Sequence, residues 1–381
     1  MKVMILGIDG YIGWALANKL KKEGHEVIGI DDLSRRKRVS KCSSDSLTPI
    51  TNIDSRQNLF NINRFTLGSM IPSVLINILS LEQPDVIFHL AEQPSAAWSM
   101  RDFVTSYDTQ SYNVLGTLQL LWAMKESCPS AHLIKLGTMG EYGTPKCDIP
   151  EGRIPENWCQ KYEGDALCPM AGLLFPRTAG SFYHLSKVMD TINIEFACRT
   201  WGLTSTDIMQ GVVFGLNNPT NEDEMTRFDY DECFGTVINR FCVQALADYP
   251  LTIYGQGGQT RGYLPLQDSL QCLTIAMENP PKGGEYRTLN QFAETFSIKE
   301  LVEMVLNSCD DLNISCGAEH IPNPRIERES HYYNPHHQTL FDLGYEPAID
   351  IQGEITKLIT QLSPYKDRII TDVLNPKIQW R

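Results

Sequence analysis

Residues 2–14 read Lys2-Val3-Met4-Ile5-Leu6-Gly7-Ile8-Asp9-Gly10-Tyr11-Ile12-Gly13-Trp14. A short apolar run followed by glycines at GxxGxxG spacing predicts a buried strand that turns directly into a helix. Gly7 permits the tight turn, Gly10 lets the backbone approach a phosphate, and Gly13 lets the helix lie on the strand. The helix start offers free N–H groups and the positive end of its dipole to an anion. Working outward, apolar runs at 3–6, 26–30, 85–90 and 132–136 predict strands, and 13–23, 116–126 and 181–200 predict helices. Buried strands alternating with helices predict an α/β fold, a doubly wound parallel Rossmann sheet covered on both faces. This domain is expected over 1–209, with insertions at about 40–68 and 148–178. A smaller domain that binds the substrate is expected over 210–381, with residues 262–278 returning to the sheet.

The remaining composition narrows the function. The chain has 381 residues and a formal net charge of −13, a poor basis for binding nucleic acid or anionic membranes. No apolar run approaches the ~18 residues of a membrane span, and no leader precedes the first strand, so a cytoplasmic protein is expected. The 11 cysteines, among them Cys42, Cys128, Cys147, Cys159 and Cys168, form no CxxC pair and no zinc spacing; reduced thiols and no metal are expected.

Three features carry chemistry. Asp31 closes the second strand, 18 residues after Gly13. A carboxylate there accepts hydrogen bonds from ribose hydroxyls and repels a 2′-phosphate, which favours NAD over NADP. Arg35 and Arg36 would suit a 2′-phosphate, or are a solvated basic turn. Tyr183 and Lys187 form YxxxK, with both side chains on one helix face. An ammonium beside a phenol favours the phenolate, a base able to act near neutral pH. Thr138 ends the strand at 132–136, at the edge that faces the cofactor crevice in such a sheet. Tyr183 would take the proton of a secondary alcohol, Lys187 would bond the nicotinamide ribose, and Thr138 would share the bond to the substrate oxygen.

This pattern resembles the extended short-chain dehydrogenase/reductase superfamily, most of whose members act on nucleotide-sugars. Within it the chain is similar to the UDP-sulfoquinovose synthases. The similarity runs through GIDGYIGW (7–14), DDLSRR (31–36), SLTPI (46–50), KLGTMGEYGTP (135–145), SFYHLSKV (181–188), QGVVFG (210–215), FGTVINRFCVQ (234–244), GGQTRGYL (257–264) and HYYN (331–334). It implies conversion of UDP-glucose and sulfite to UDP-sulfoquinovose. The steps are oxidation at the sugar 4-position, loss of water across the 5,6 bond, sulfite addition at the 6-position and re-reduction, with NAD held and recycled. The implied NAD contacts are Gly7, Asp9, Gly10, Tyr11, Ile12, Gly13, Asp31, Asp32, Leu33, Arg35, Arg36, Leu90, Ala91, Glu92, Asn113, Tyr183, Lys187, Gln210 and Val213. The implied sugar-nucleotide contacts are Gln93, Arg101, Thr138, Met139, Gly140, Tyr183, Gln210, Asn239, Thr252, Tyr254, Gln259, Arg261 and Arg325, with Arg261 and Arg325 on the diphosphate.

Related 4,6-dehydratases carry Thr-Asp-Glu where this chain has Thr138-Met139-Gly140. Removing two carboxylates beside the 6-position suits an anionic nucleophile, since two like charges at ~4 Å cost about 4 kcal/mol at an effective dielectric of 20. Glu141 and His184 remain as candidates for the proton transfers of dehydration. The chain departs from the family pattern at Pro94, where Arg is expected; Arg101 could substitute. Ser69-Met70 also replaces an adenine-contacting pair. A homodimer through the Asn113 and Tyr183 helices is expected, and the sulfur donor is either free sulfite or a sulfite-donating partner protein. The rival readings are a nucleotide-sugar 4-epimerase or 4,6-dehydratase, and a non-catalytic NAD-binding scaffold.

Overall fold

A computed structural model describes residues 1–68, 72–155, 170, 172–325, 328, 330–347 and 350–379. Ser69 and Met70, and the centre of the expected 148–178 insertion, lie outside the described residues. Strands are numbered in chain order. Six of them, β1 (Lys2–Leu6), β2 (Glu26–Asp31), β3 (Asn61–Arg64), β4 (Val86–His89), β5 (His132–Thr138) and β6 (Thr204–Gln210), join β10 (Tyr286–Gln291) in a seven-stranded sheet. The order is β10-β6-β5-β4-β1-β2-β3 and every pairing is parallel. The strand order therefore reverses between β1 and β4, and the carboxyl edge opens a crevice there.

The two faces of the sheet follow from the period-2 pattern of β1. Val3 and Ile5 enter one core with Leu16 and Leu20 of helix α1 (Tyr11–Lys22) and with Leu270 and Leu273 of helix Leu266–Glu278. Met4 and Leu6 enter the other with Leu75, Leu120 and Ile194. Covering both faces leaves no solvated side, so the strands read as continuous apolar runs. The register then places Thr138 beside the binding candidate Gln210. Thr138 is opposite Gln210, and Gln210 is opposite Gln291, so all three stand at the same edge.

The C-terminal half has its own core, in which Phe214, Phe228, Phe241, Leu251, Leu301 and Leu358 meet. Strand β9 (Thr260–Pro265) pairs with β7 (Val212–Phe214) and β11 (Glu294–Ser297), and β8 (Leu251–Tyr254) with β12 (Ala318–Ile321). Two expectations change. Of residues 262–278, helix Leu266–Glu278 does pack on the main sheet, but the strand that joins it is β10, because residues 260–265 find antiparallel and parallel partners in a sheet of their own. The stretch 40–68 is not a separate insertion. It holds β3, and Leu47 sits in the C-terminal core with its N–H on Phe228 O at 2.9 Å, so it ties the two halves together.

Candidate active site

One cavity of about 910 Å³ runs along the carboxyl edge, from the first turn of α1 to the C-terminal sheets. Its volume suits a ligand of nucleotide size or larger. At one end Gly7 leaves β1 with φ +85°, and a Cβ there would fall 2.6 Å from Leu90 O. A Cβ on Gly13 would fall 2.2 Å from Gly7 O. Only glycines let strand, turn and helix approach so closely. Gly10 caps α1 without a side chain, leaving the first-turn N–H groups to a phosphate.

Asp31 lines the same end. Its carboxylate accepts from Asp9 N at 2.8 Å and Leu33 N at 2.7 Å. Each oxygen keeps a lone pair for a ribose hydroxyl. Burial and the nearby Asp9 charge raise its pKa to about 6. Arg36 is committed elsewhere: it grips Asp9 through Nε and Nη2 at 2.6 and 2.7 Å, and the fully buried Arg56 binds the same carboxylate at 2.7 Å. Arg35 does line the cavity, but is held by Asp229 at 2.7 Å and lies 4.0 Å over the Phe234 ring. The cradle thus fits a dinucleotide, with an acid rather than a free guanidinium at the ribose.

The middle of the cavity is the reactive wall. Thr138, at the end of β5, accepts from Gly140 N at 3.1 Å and starts a tight turn. Ser181 caps helix Phe182–Trp201 by accepting from His184 N at 3.2 Å, and Ser99 Oγ accepts from Tyr183 N at 3.0 Å. These bonds aim the first turn at the cavity, which Tyr183 and Thr138 line together. One turn on, Lys187 donates to Leu136 O at 2.6 Å and pairs with Glu92. Its ammonium is 6.0 Å from the Tyr183 ring centroid. Burial lowers the Lys187 pKa to about 8. Burial also raises the Tyr183 phenol above its ordinary value, and the neighbouring Thr138 only partly offsets this. Burial thus opposes the phenolate in the ligand-free protein, and a nearby cation favours it.

His184 lies beside Tyr183, ring centroids 5.0 Å apart, with Nδ1 at 2.9 Å from Ser181 Oγ. Burial, Arg325 and Arg261 lower its pKa to about 3, so the imidazole is neutral. It explains Gly140: a Cβ at 140 would fall 2.5 Å from His184 Nε2. The room left by the missing carboxylate is filled by the imidazole, not left open.

The far end is cationic. Arg240, Arg261, Arg325 and Arg328 line it with Tyr254 and Tyr333. Arg261 bonds His331 Nε2 at 2.9 Å. Arg240 donates to Tyr254 OH at 2.9 Å and lies 4.6 Å over its ring. Burial and the neighbouring guanidiniums of Arg240 and Arg261 lower the Arg325 pKa.

Of the expected contacts, Gly7, Gly10, Tyr11, Ile12, Gly13, Asp31, Asp32, Arg35, Leu90, Ala91, Glu92, Gln210 and Val213 line the cavity, as do Met139, Gly140, Thr252, Tyr254, Gln259, Arg261 and Arg325. Others turn away. Asn113 bonds Gln93 N at 2.8 Å and Ser186 Oγ at 2.8 Å, joining the loop after β4 to the Tyr183 helix. The Gln93 side chain is spent on Thr109 and Ser95. Asn239 accepts from Gly215 N at 2.9 Å, and its neighbour Arg240 is the one on the wall. Leu33 and Asp9 offer the cradle only main-chain and charge support. Arg101 lies over Trp98 and near Lys41 O at the surface, so it does not replace the arginine missing at Pro94. Glu141 is fully buried behind the wall, bound by Arg177 at 3.0 Å, Thr191 at 3.0 Å and Lys135 at 3.4 Å; it cannot reach a sugar. Arg38, Phe65, Leu67, Tyr112 and Phe234 are wall residues that sequence reasoning missed, together with Arg240 and Arg328. Only Arg240 left a signal, one helical turn after Val237 on the same face.

The model of the NAD dependent epimerase/dehydratase family matches residues 3–290. The chain is 42% identical to UDP-sulfoquinovose synthase of Sulfolobus acidocaldarius, covering 100% of this chain and 98% of that one. It is 41% identical to the chloroplastic UDP-sulfoquinovose synthase of Spinacia oleracea, covering 100% and 79%. The fold is shared with UDP-glucuronic acid 4-epimerase from Bacillus cereus, in a mutant solved with a substrate analogue and NAD, at TM-score 0.70 and 20% identity over 96% and 99% of the chains. It is shared also with Thermus thermophilus UDP-glucose 4-epimerase in complex with NAD, at TM-score 0.68 and 20% identity over 95% and 99%.

Proposed function

The chain belongs to the NAD dependent epimerase/dehydratase family, and on that premise we propose that it makes UDP-sulfoquinovose from UDP-glucose and sulfite, with NAD as its cofactor. NAD, when bound, supplies a hydride acceptor for the sugar 4-position and later a donor. The residues that would hold it are the 7–13 turn, Asp31 and Lys187. Tyr183, having given up its own proton, would take the 4-hydroxyl proton as a phenolate while Thr138 shares the bond to the substrate oxygen. Arg261, Arg325 and Arg240 bind the diphosphate.

The observation that carries the reading is the exclusion between position 140 and His184. A 4,6-dehydratase needs a carboxylate in the space that the imidazole occupies. A neutral imidazole there serves the 5-proton without repelling an incoming sulfite. Sulfite-dependent consumption of UDP-glucose by the purified protein tests the proposal; turnover indifferent to sulfite would favour an epimerase or dehydratase.

The proposal includes a homodimer. Leu185, Met189, Ile192 and Phe196 are exposed at spacings that form one helix face, next to exposed Leu118 and Trp122 on helix Gly116–Ser127. An apolar surface of this kind is best covered by its own copy. The nine described cysteines are free thiols, which suits the reducing cytoplasm. Among the described residues no helix is long and apolar enough to cross a membrane.

A further inference from the structure

Cys42 and Cys233 are far apart in sequence, and no spacing rule joins them. The fold does. Cys42 closes helix α2 (Ser34–Lys41), its N–H on Val39 O at 2.9 Å. Cys233 lies in the loop that lines the cavity between Glu232 and Phe234. Their sulfurs lie within 4.8 Å of each other. Asp231 completes the group: its carboxylate oxygen and the two sulfurs all lie within 4.8 Å of one another.

A second observation points to a ligand. Asp231 is 1% exposed. Its Oδ1 accepts from Cys233 N at 2.9 Å and Phe234 N at 3.1 Å. Its Oδ2 is buried without a hydrogen-bond partner among the described residues. A buried carboxylate oxygen left unsatisfied is costly, and a cation removes that cost. Two thiols and one carboxylate select a thiophilic divalent ion. Zinc bound tetrahedrally at about 2.3 Å to sulfur and about 2.1 Å to oxygen needs its ligand atoms roughly 3.7 Å apart, a small closure of the present group.

We propose that Cys42, Asp231 and Cys233 form a three-ligand site for a thiophilic divalent cation of the zinc class. Binding replaces two S–H bonds with two metal–sulfur bonds, releases two protons and leaves the metal oxidation state unchanged. The fourth position is left for water. The ion clasps the end of α2 to the loop bearing Phe234, two segments that flank the Asp31 end of the cavity. Ser95 Oγ holds the same loop through Cys233 O.

The test uses the full chain, reduced with a phosphine and stripped of metal by a chelator, then titrated with Co(II). One equivalent with thiolate-to-cobalt charge-transfer absorption and tetrahedral visible bands is expected, displaced one-for-one by Zn(II). Cys42→Ser and Cys233→Ser should each lose the absorption, and Asp231→Asn should weaken binding. Cys128→Ser, a buried thiol elsewhere, should change nothing. Unaltered circular dichroism and NAD binding in Cys42→Ser would show that loss of metal is not loss of fold. Absence of the charge-transfer band in the wild type, or its survival in Cys42→Ser, would overturn the site. So would a Cys42–Cys233 disulfide in protein that, once reduced, takes up no zinc.

Discussion

Asp31→Asn separates the energetic account of the cofactor end from a merely geometric one. The wild-type carboxyl rises from an ordinary 3.8 to about 6, chiefly by burial and then by Asp9. At about 1.36 kcal/mol per pKa unit, keeping it ionised costs about 3 kcal/mol in the cofactor-free protein. An acid raised by folding binds more protons folded than unfolded, so this stability is present at low pH and is lost as pH rises from about 4 to about 6. Asparagine does not titrate. It keeps one acceptor for the Asp9 and Leu33 amides and forfeits the other, a pH-independent loss of about 1–3 kcal/mol. Urea unfolding of both proteins from pH 4.5 to 8 should therefore show the wild type losing about 2 kcal/mol relative to the variant. The difference cancels the other raised acids, Asp190 and Asp231 among them. NAD binding should move the opposite way. At pH 5 about a tenth of Asp31 is ionised, so wild-type affinity should be roughly 10-fold below its value at pH 8, and the variant should be weak throughout. A stability difference that stays flat across this range would refute the reasoning.

Further outcomes follow from the same geometry. Tyr183→Phe should abolish turnover while NAD still binds, checked by assay and by cofactor titration; unchanged turnover would remove the phenol from the mechanism. Gly140→Ala places a Cβ 2.5 Å from His184 Nε2, so kcat should fall at least ~10-fold with little change in UDP-glucose affinity, read from steady-state kinetics. His184→Gln should remove product formation but preserve reduction of bound NAD by UDP-glucose in a single turnover, followed by nicotinamide absorbance. If the proposed dimer forms, the wild type should sediment as two chains and Met189→Asp with Ile192→Asp as one; a wild-type monomer would contradict the interface.

The parts of the site that could be read from the sequence are those set by local backbone chemistry. The 7–13 turn is such a case, because Gly7 and Gly13 are required by contacts within one strand–turn–helix unit. Thr138, Tyr183 and Lys187 were also legible, since the end of a strand and one helix turn define where they point. What escaped depends on which way neighbouring residues face after packing. Asn239 and Arg240 differ by one position and face opposite ways. Asn113, Gln93 and Glu141 sit beside the cavity in sequence but bond inward, where buried polar partners must be satisfied. The protonation balance of Tyr183 was out of reach for a related reason: spacing shows that Lys187 is near, but not how strongly burial opposes a charged phenol. The role of 40–68 was hidden because Leu47 finds its core in the distant C-terminal half. Cys42 and Cys233 were invisible for the same reason.

The central claim is that this NAD-holding cavity joins sulfite to the 6-carbon of a UDP-bound glucose. Purified protein is incubated with UDP-glucose, NAD and isotopically heavy sulfite, and the nucleotide-sugars are resolved by mass spectrometry. The account predicts one new sugar nucleotide that carries the heavy label on carbon, formed by the wild type and not by Tyr183→Phe. An unlabelled UDP-galactose or 4-keto-6-deoxy sugar as the product in the presence of sulfite would contradict it.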